Sequence, residues 1–557
     1  MIKFQKLYKL KFFKNYFLFI LLFVVLATFY YDSVLDKGPL NVHLWRQTDC
    51  LSIARNYSEG ANFFKPEMNI QLADNKTTGL TAGEFPILYF IVGIIWKLFG
   101  ESYLSFRLFY LLILFAGLFA FYKSLHILLN NNFWAITIST LLFTSPVYVV
   151  YGVSFLTDAP AFSFVLIAIY FLLQYNRKRI MKLFFLSMLF FALAGLIKVS
   201  SLIAFIFLFF ILILESFSVK SLGKRKLFHC NKYEWIGFIS VFIIIISWYY
   251  YANFYNTLHG FKYTFNNIWP IWHTEAYNSE ELTHYIKNFT TYVFFSRPVI
   301  ILLLFIGFIN IFLWKKIPVL AYLSNIIIVL GSILYFILWA PLMGNHDYYF
   351  ISLLILFVGI LIPFIWFIKT NYPNIFKGYI IKIFLGIFLL YNFLYCLNIV
   401  KLKTLAQEGN FNIVCNNELV KFMRWSNCEA SYNWKRFESM KPYVREIGIK
   451  KEDKVISLPD KSFNVSLYLL NQKGWSDYEN YNKTEDIENL IQKGAKYLFI
   501  SNQEILKEEY LTPFLSATNS CLCGTPLKLA ITLLIFFSGI FNALAIAIAA
   551  ELFFPSK

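Results

Sequence analysis

Apolar residues run almost without interruption along most of this chain, and each run stops at a short polar or basic cluster. Runs long enough to cross a hydrocarbon layer predict helices at about 16–31, 106–129, 133–151, 160–175, 183–197, 199–215, 235–252, 298–314, 317–339, 350–367 and 379–398. A further apolar run at 527–554 would make a twelfth. The segment FPILYFIVGIIWKLFG at 85–100 is equally apolar but too short to cross. Bounded by Pro86 and Gly100, it reads as a re-entrant or interface-lying helix.

Two stretches break this pattern. Residues 32–84 form the first long polar loop. Residues 400–516 turn polar, with charges of both signs. Within the latter, DKVISLPD and AKYLFIS have the alternation and β-branched content of short strands, and TEDIENLIQKG has the period of the helix before the second. The expectation is an all-α polytopic membrane protein of about 11–12 transmembrane helices with a small extracytoplasmic α/β domain near its C-terminus. Residues 1–399 would form the transmembrane catalytic part with its loop 32–84, residues 400–516 the outer domain, and residues 517–557 a tail holding the last span.

Composition agrees with this reading. Of 557 residues 58% are hydrophobic and only 15% charged, where a soluble chain carries about a quarter. The formal charge of +18 would suggest nucleic acid in a soluble protein. Here the Lys and Arg sit in NRKRIMK (176–182), KSLGKRK (220–226) and Lys315–Lys316, and no basic reading motif accompanies them. Counting spans from a cytoplasmic N-terminus marked by Lys3, Lys6, Lys9, Lys11 and Lys14 puts every basic cluster on the cytoplasmic side. Nucleic acid is excluded as a partner, and membrane lipid is expected. Seven cysteines show no metal-ligand spacing with histidine. Cys415 and Cys428 share the outer domain and could pair.

The same topology gathers polar residues from separate loops onto the extracytoplasmic face. Carboxylates at Asp49, Glu84 and Asp158 could serve as a general base. His43, Arg46, Arg107, Lys198 and His346, with Tyr348 and Tyr349, could hold an anionic substrate such as a phosphate. Most have a plainer explanation. Asp49 could cap the helix starting in WRQTDCLSIARN, and Asp158 could cap the helix after TDAP. Glu84 could be a first-turn charge ahead of the proline-led helix. Lys198 could snorkel at a hairpin turn, and Arg107 could anchor a span at the interface. An aromatic belt explains Tyr348 and Tyr349 but not His346. No HExxH or clustered ligand pattern supports a metal site.

Taken together, HLWRQTDCLSIARN (43–56), GEFPILYFIVGIIWKLFGES (83–102), TDAP (157–160), GLIKVSS (195–201) and NHDYYF (345–350) resemble, in content and order, the GT-C superfamily of membrane glycosyltransferases. The branch they are most similar to is glycosyltransferase family 39 with the aminoarabinose-transferase-like proteins. The resemblance covers roughly residues 10–400. It implies a polyprenyl-phosphate sugar donor, an acceptor hydroxyl or phosphate on a lipid, glycan or protein, and a site facing out of a bacterial plasma membrane. The family's first-loop acidic pair matches at Asp49, but Cys50 stands where glutamate is common. Asp158 matches the second outer-loop aspartate. The implied reaction is an inverting transfer with Asp49 as base and Lys198, Arg107 or His346 beside the departing phosphate. Some relatives use a divalent metal, and the sequence leaves metal and cofactor use open. The competing class is a transporter or flippase of lipid-linked saccharide, which should display internal repeats or charges at mid-span. None is evident.

Overall fold

A computed structural model describes residues 2–39, 43–217, 226–260, 268–272, 279–343, 346–405 and 437–516. Two compact units emerge. The first comprises Met1–His43, Ala82–Tyr255 and Tyr263–Cys428, and the second Leu44–Thr81, Asn256–Lys262 and Glu429–Lys557. The polar loop after the first apolar run therefore belongs, from Leu44 to Thr81, with the C-terminal residues.

The first unit is helical. Among the described residues, seven single helices are long and apolar enough to cross a membrane: Tyr103–Leu129, Asp158–Lys178, Val199–Ser216, Lys232–Leu258, Val319–Met343, Asp347–Asn371 and Tyr379–Thr404. Two bent pairs, Asn132–Leu142 with Pro146–Gly152 and Leu282–Phe294 with Arg297–Phe312, raise the count to nine if each is one crossing. Tyr16–Tyr31, Ile87–Phe99 and Met181–Ile197 are shorter apolar helices. Every apolar run expected through residue 398 is thus helical, but several are bent or short rather than straight crossings. The expected last span at 527–554 and the pairing of Cys415 with Cys428 lie outside the described residues.

Local chemistry sets the breaks. The Ser102 hydroxyl accepts from the Ser105 amide at the start of Tyr103–Leu129. Asn130, left-handed at φ 48°, ends that helix with its amide on the His126 carbonyl, a conformation asparagine tolerates better than most residues. Asn131 caps the next helix through the Trp134 amide. Pro146 then opens its own helix, having no N–H to continue the previous one, and the axis turns by 74°. At Lys198 the backbone is extended (φ −161°, ψ 101°), separating Met181–Ile197 from the 3-10 turn Val199–Leu202. The short helix Ile87–Phe99 turns back at Gly100, and the Trp96 indole donates to the Ser102 carbonyl at 3.0 Å.

Close packing uses small residues where helices meet. A Cβ placed on Gly117 would lie 2.6 Å from the Ser163 Cβ and 2.8 Å from its Cα, so Tyr103–Leu129 and Asp158–Lys178 approach backbone to side chain at that level.

The second unit is built on a parallel three-stranded sheet, β1 (Lys454–Leu458), β2 (Lys473–Ser476) and β3 (Ala495–Ile500), in the order β2–β1–β3. β1 and β3, and the helix Thr484–Gln492 between β2 and β3, coincide with the segments read from sequence. The helix Val465–Leu470 links β1 to β2. Ile456, Leu458, Trp475, Ile487, Leu490, Leu498, Leu511 and Phe514 form the core. Asn69–Gln71 from the early loop lies along β2: the Gly474 amide donates to the Asn69 carbonyl at 3.2 Å and the Gln71 amide to the Gly474 carbonyl at 2.8 Å. Gly474 has φ 155°, and any Cβ there would sit 1.9 Å from the Val455 carbonyl oxygen.

Substituting Gly117→Val should therefore lower stability by about 1–3 kcal/mol, the usual cost of overpacking. Gly386→Ala, where a Cβ would meet nothing within 4 Å, should leave it unchanged. Thermal unfolding of the detergent-solubilised protein compares the two.

Candidate functional site

In the first unit, polar side chains far apart in sequence meet where helices begin and end. Asp158 opens its helix and Asp347 opens the 3-10 turn Asp347–Leu354, first-turn positions that suit a carboxylate. Lys198 sits at the break after Ile197, and Lys403 in the last turn of Tyr379–Leu405, where a cation suits the helix end.

The Asp158 carboxylate, 4% exposed, pairs with the Lys198 ammonium at 2.8 Å, and the Lys198 side chain retains 20% exposure. Lys198 also lies 4.4 Å from the centre of the Tyr349 ring and 5.4 Å from that of Tyr348, within cation–π range. Asp347 is fully buried and accepts from Lys403, from the Tyr151 hydroxyl and, at 3.1 Å, from His43 Nε2. Since a carboxylate accepts, His43 carries its proton on Nε2 when neutral, leaving Nδ1 as acceptor. The His346 ring stacks on His43 with centres 5.2 Å apart and planes 18° apart. His346 Nδ1 lies 3.1 Å from the Leu342 carbonyl, which can only accept, so the proton is on Nδ1 and Nε2 is the acceptor. The Tyr348 ring stands edge-on to both imidazoles. The charges of Asp158 and Lys198 reach His43 and His346 respectively, so the two ion pairs belong to one cluster.

Glu84, half-buried, accepts from the Tyr89 hydroxyl at 2.9 Å. Its charge and that of Asp158 both reach Tyr249, whose hydroxyl lies 3.4 Å from the Gly195 and Leu196 carbonyls beside Lys198. Arg107 has a different environment. Buried, it donates to the carbonyls of Lys37, Gly38 and Val153 and lies 4.2 Å from the centre of the Phe155 ring. These bonds tie the end of the first helical segment to the bent pair, so Arg107 acts as a structural anchor.

Asp49 and Arg46 lie in the second unit. The helix carrying them, Leu44–Ser58, starts earlier than the sequence suggests, so Asp49 is more than a turn inside it and does not cap it. Asp49 is fully buried, and its Oδ1 accepts from Asn464 Nδ2 at 3.0 Å. Leu51, Ala54 and Tyr57 on the same helix are buried; so is Arg46. Among the described residues no three His, Cys, Asp or Glu side chains are grouped to hold a metal ion.

Sequence reasoning overlooked Lys403 and Tyr151, both bound to Asp347. VKLKTL at the end of an apolar run looks like an ordinary membrane-exit lysine, and VYVVYG looks like interface aromatics. The available signal was Asp347 itself, a carboxylate beside a long apolar run that had to find a cation.

Residues 84–251 match the sequence profile of the dolichyl-phosphate-mannose-protein mannosyltransferase family. No curated protein matches the chain. Among solved structures, the fold is similar to the archaeal oligosaccharyltransferase AglB from Archaeoglobus fulgidus, in complex with an inhibitory peptide and a dolichol-phosphate. That match has a TM-score of 0.50 and 11% identity over 90% of this chain and 71% of the other. ArnT from Cupriavidus metallidurans bound to undecaprenyl phosphate aligns with a TM-score of 0.48 and 11% identity over 83% of this chain and 85% of that one. With its apolar helices and this family match, the chain is an integral membrane protein.

Burial, and then the neighbouring His43, push His346 down to about 3 from an ordinary 6.5, and burial lowers His43 despite Asp347. Below pH 6.5 the unfolded chain takes up these protons while the folded one does not, so stability falls as pH drops toward 3. The thermal midpoint in detergent should hold above about pH 7 and decline below 6.5, and His346→Gln should flatten the decline. An unchanged slope in that variant would show that His346 is not buried in the neutral form.

Proposed function

We propose that this chain is a membrane glycosyltransferase of the GT-C superfamily and transfers a sugar from a polyprenyl-phosphate donor to an acceptor on the extracytoplasmic face of the membrane. The observation that carries this reading is the convergence of Lys198–Asp158, His43, His346, Tyr348 and Tyr349 in a unit whose residues 84–251 match a glycosyltransferase family. The similar archaeal oligosaccharyltransferase structure, in complex with a dolichol-phosphate, lends support to a lipid-phosphate donor.

Lys198 is the cation suited to the donor's phosphate. It is the partly exposed member of its ion pair, and it sits at a chain break between apolar helices where a lipid headgroup could reach it. Its pairing with Asp158 and the flanking tyrosine faces hold the ammonium in place before substrate arrives, so little reorganisation accompanies charge development on the leaving group. The neutral His43 and His346 add hydrogen-bonding capacity without adding positive charge. Independently of that cluster, the first-loop motif HLWRQTD is the ground for assigning the base to Asp49, a residue of the second unit. Asp49 takes the proton from the acceptor hydroxyl as the oxygen bonds to the anomeric carbon. The bond from that carbon to the phosphate oxygen breaks, and its electron pair leaves with the polyprenyl phosphate. A single displacement of this kind inverts the anomeric configuration. The short helix Ile87–Phe99 would flank the polyprenyl chain.

Proteoliposomes carrying the protein and a panel of polyprenyl-phosphate sugars (mannose, glucose, galactose and aminoarabinose) provide the test. Asp49→Asn should lower kcat by about a hundredfold or more, within the range for loss of a general base, with donor KM little changed. Lys198→Ala should raise KM and lower kcat together. Wild-type turnover in Asp49→Asn would move the base to Asp158 or Glu84, and the corresponding amide variants distinguish those two. Failure of the wild type to transfer any sugar would overturn the enzymatic reading in favour of transport.

A further inference from the structure

We propose that Asn464 is a positioning residue for Asp49, so that the C-terminal α/β domain aims the carboxylate presented by the first loop. This rests on Asp49 being the base. Both residues, and everything that joins them, lie in the second unit.

In a parallel sheet, functional loops gather at the carboxyl ends of the strands. β1 is the central strand, and the loop leaving its carboxyl end, Pro459–Asn464, carries Asn464 into contact with the helix Leu44–Ser58. That loop is braced from within. The buried Asp460 carboxylate accepts from the Ser462 amide and hydroxyl at 2.9 and 2.6 Å, and from the Ser466 amide and hydroxyl at 2.9 and 2.5 Å. The turn into Val465–Leu470 is therefore held at four points.

Asn464 is itself fully buried. Its Oδ1 accepts the Ile70 amide at 3.0 Å. A backbone N–H can only donate, so this bond settles which end of the amide is oxygen and directs the NH2 group at Asp49. The Nδ2 lies 3.0 Å from Asp49 Oδ1 and 3.2 Å from the Met68 sulfur. The last torsion of an aspartate side chain is broad and weakly restrained, so a donor locked in place selects one carboxylate orientation.

Other contacts carry the purely structural part of the same interface. Asn69 Nδ2 donates to the Leu467 and Gln472 carbonyls, Ser52 donates to Asn69 Oδ1, and Arg55 donates to the Tyr468 carbonyl while lying 3.7 Å from the centre of its ring. Asn464 adds one bond of its own to that interface, through the Ile70 amide, while its Nδ2 is the group that meets Asp49.

The test uses the full chain in proteoliposomes with whichever donor of the panel the wild type turns over. Asn464→Leu, with the same number of side-chain heavy atoms but neither the donor to Asp49 nor the acceptor for Ile70, should lower kcat by about tenfold or more, since small misplacements of a reacting group cost up to about a hundredfold. Donor KM should stay within about twofold, and binding of polyprenyl phosphate alone should be unchanged. Asn69→Ala should lower the thermal midpoint yet leave kcat within about twofold. If Asn464→Leu fails to fold, Asn464→Asp decides: it retains an acceptor for Ile70 but opposes Asp49 with a like charge, and a larger kcat loss is expected. Wild-type kcat in the folded Asn464 variant would overturn the proposal, as would equal kcat losses in Asn464→Leu and Asn69→Ala. Run alongside, Asp49→Asn separates the two levels. An inactive Asp49→Asn with an active Asn464→Leu removes only the positioning role, whereas an active Asp49→Asn removes the base assignment itself.

Discussion

A carboxylate taken out of water into an apolar helix bundle persists only where protein groups replace the water it has lost. The first unit is arranged around two such carboxylates. Asp347 receives Lys403, Tyr151 and His43, and Asp158 receives Lys198. Every partner comes from a different chain segment, so satisfying the charges also specifies which helix ends meet. Removing one member of a buried pair typically costs 3–5 kcal/mol because the other is left uncompensated. A shift of any of these helices along its axis would incur a penalty of that order. Apolar packing alone, being non-directional, could not supply such a register.

The two ion pairs divide the labour. Asp347 and Lys403 are closed off and neutralise each other, while burial keeps the imidazoles beside them uncharged. In the Asp158–Lys198 pair the lysine side chain stays 20% exposed beside the two tyrosine rings.

Much of this was legible in the chain because membranes impose blunt rules. Long apolar runs had to become helices, and the alternation in KVISL and KYLFI had to become strands. Asp158, Lys198 and His346 stood out as polar groups next to apolar runs. What escaped notice depended on pairing across hundreds of residues. Lys403 and Tyr151 have ordinary local surroundings, and only the fold gives them a common partner. Arg107 looked available for phosphate, yet three backbone carbonyls take up its donors. β2 spans four residues and contains a glycine, too little for a pattern to register. The start of the helix bearing Asp49 was misplaced because LWRQT lacks the cap residue that usually announces one.

The second unit is discontinuous: residues 69–71 complete the edge of a sheet whose strands begin at Lys454. During synthesis, the segment bearing Asp49 leaves the ribosome more than four hundred residues ahead of the groups that enclose it, Asn464 lying 415 residues further on. Until β2 and Val465–Leu470 have emerged, Asn69 has no Leu467 or Gln472 carbonyl to engage, and Arg55 has no Tyr468 ring to cover. The helix Leu44–Ser58 must therefore wait, with its apolar side chains uncovered, while most of the chain is threaded into the bilayer. Maturation then runs against chain order, the early loop being the last part to acquire its native surroundings. A nascent protein arrested before residue 476 could own every membrane helix described here and still lack the core around Asp49.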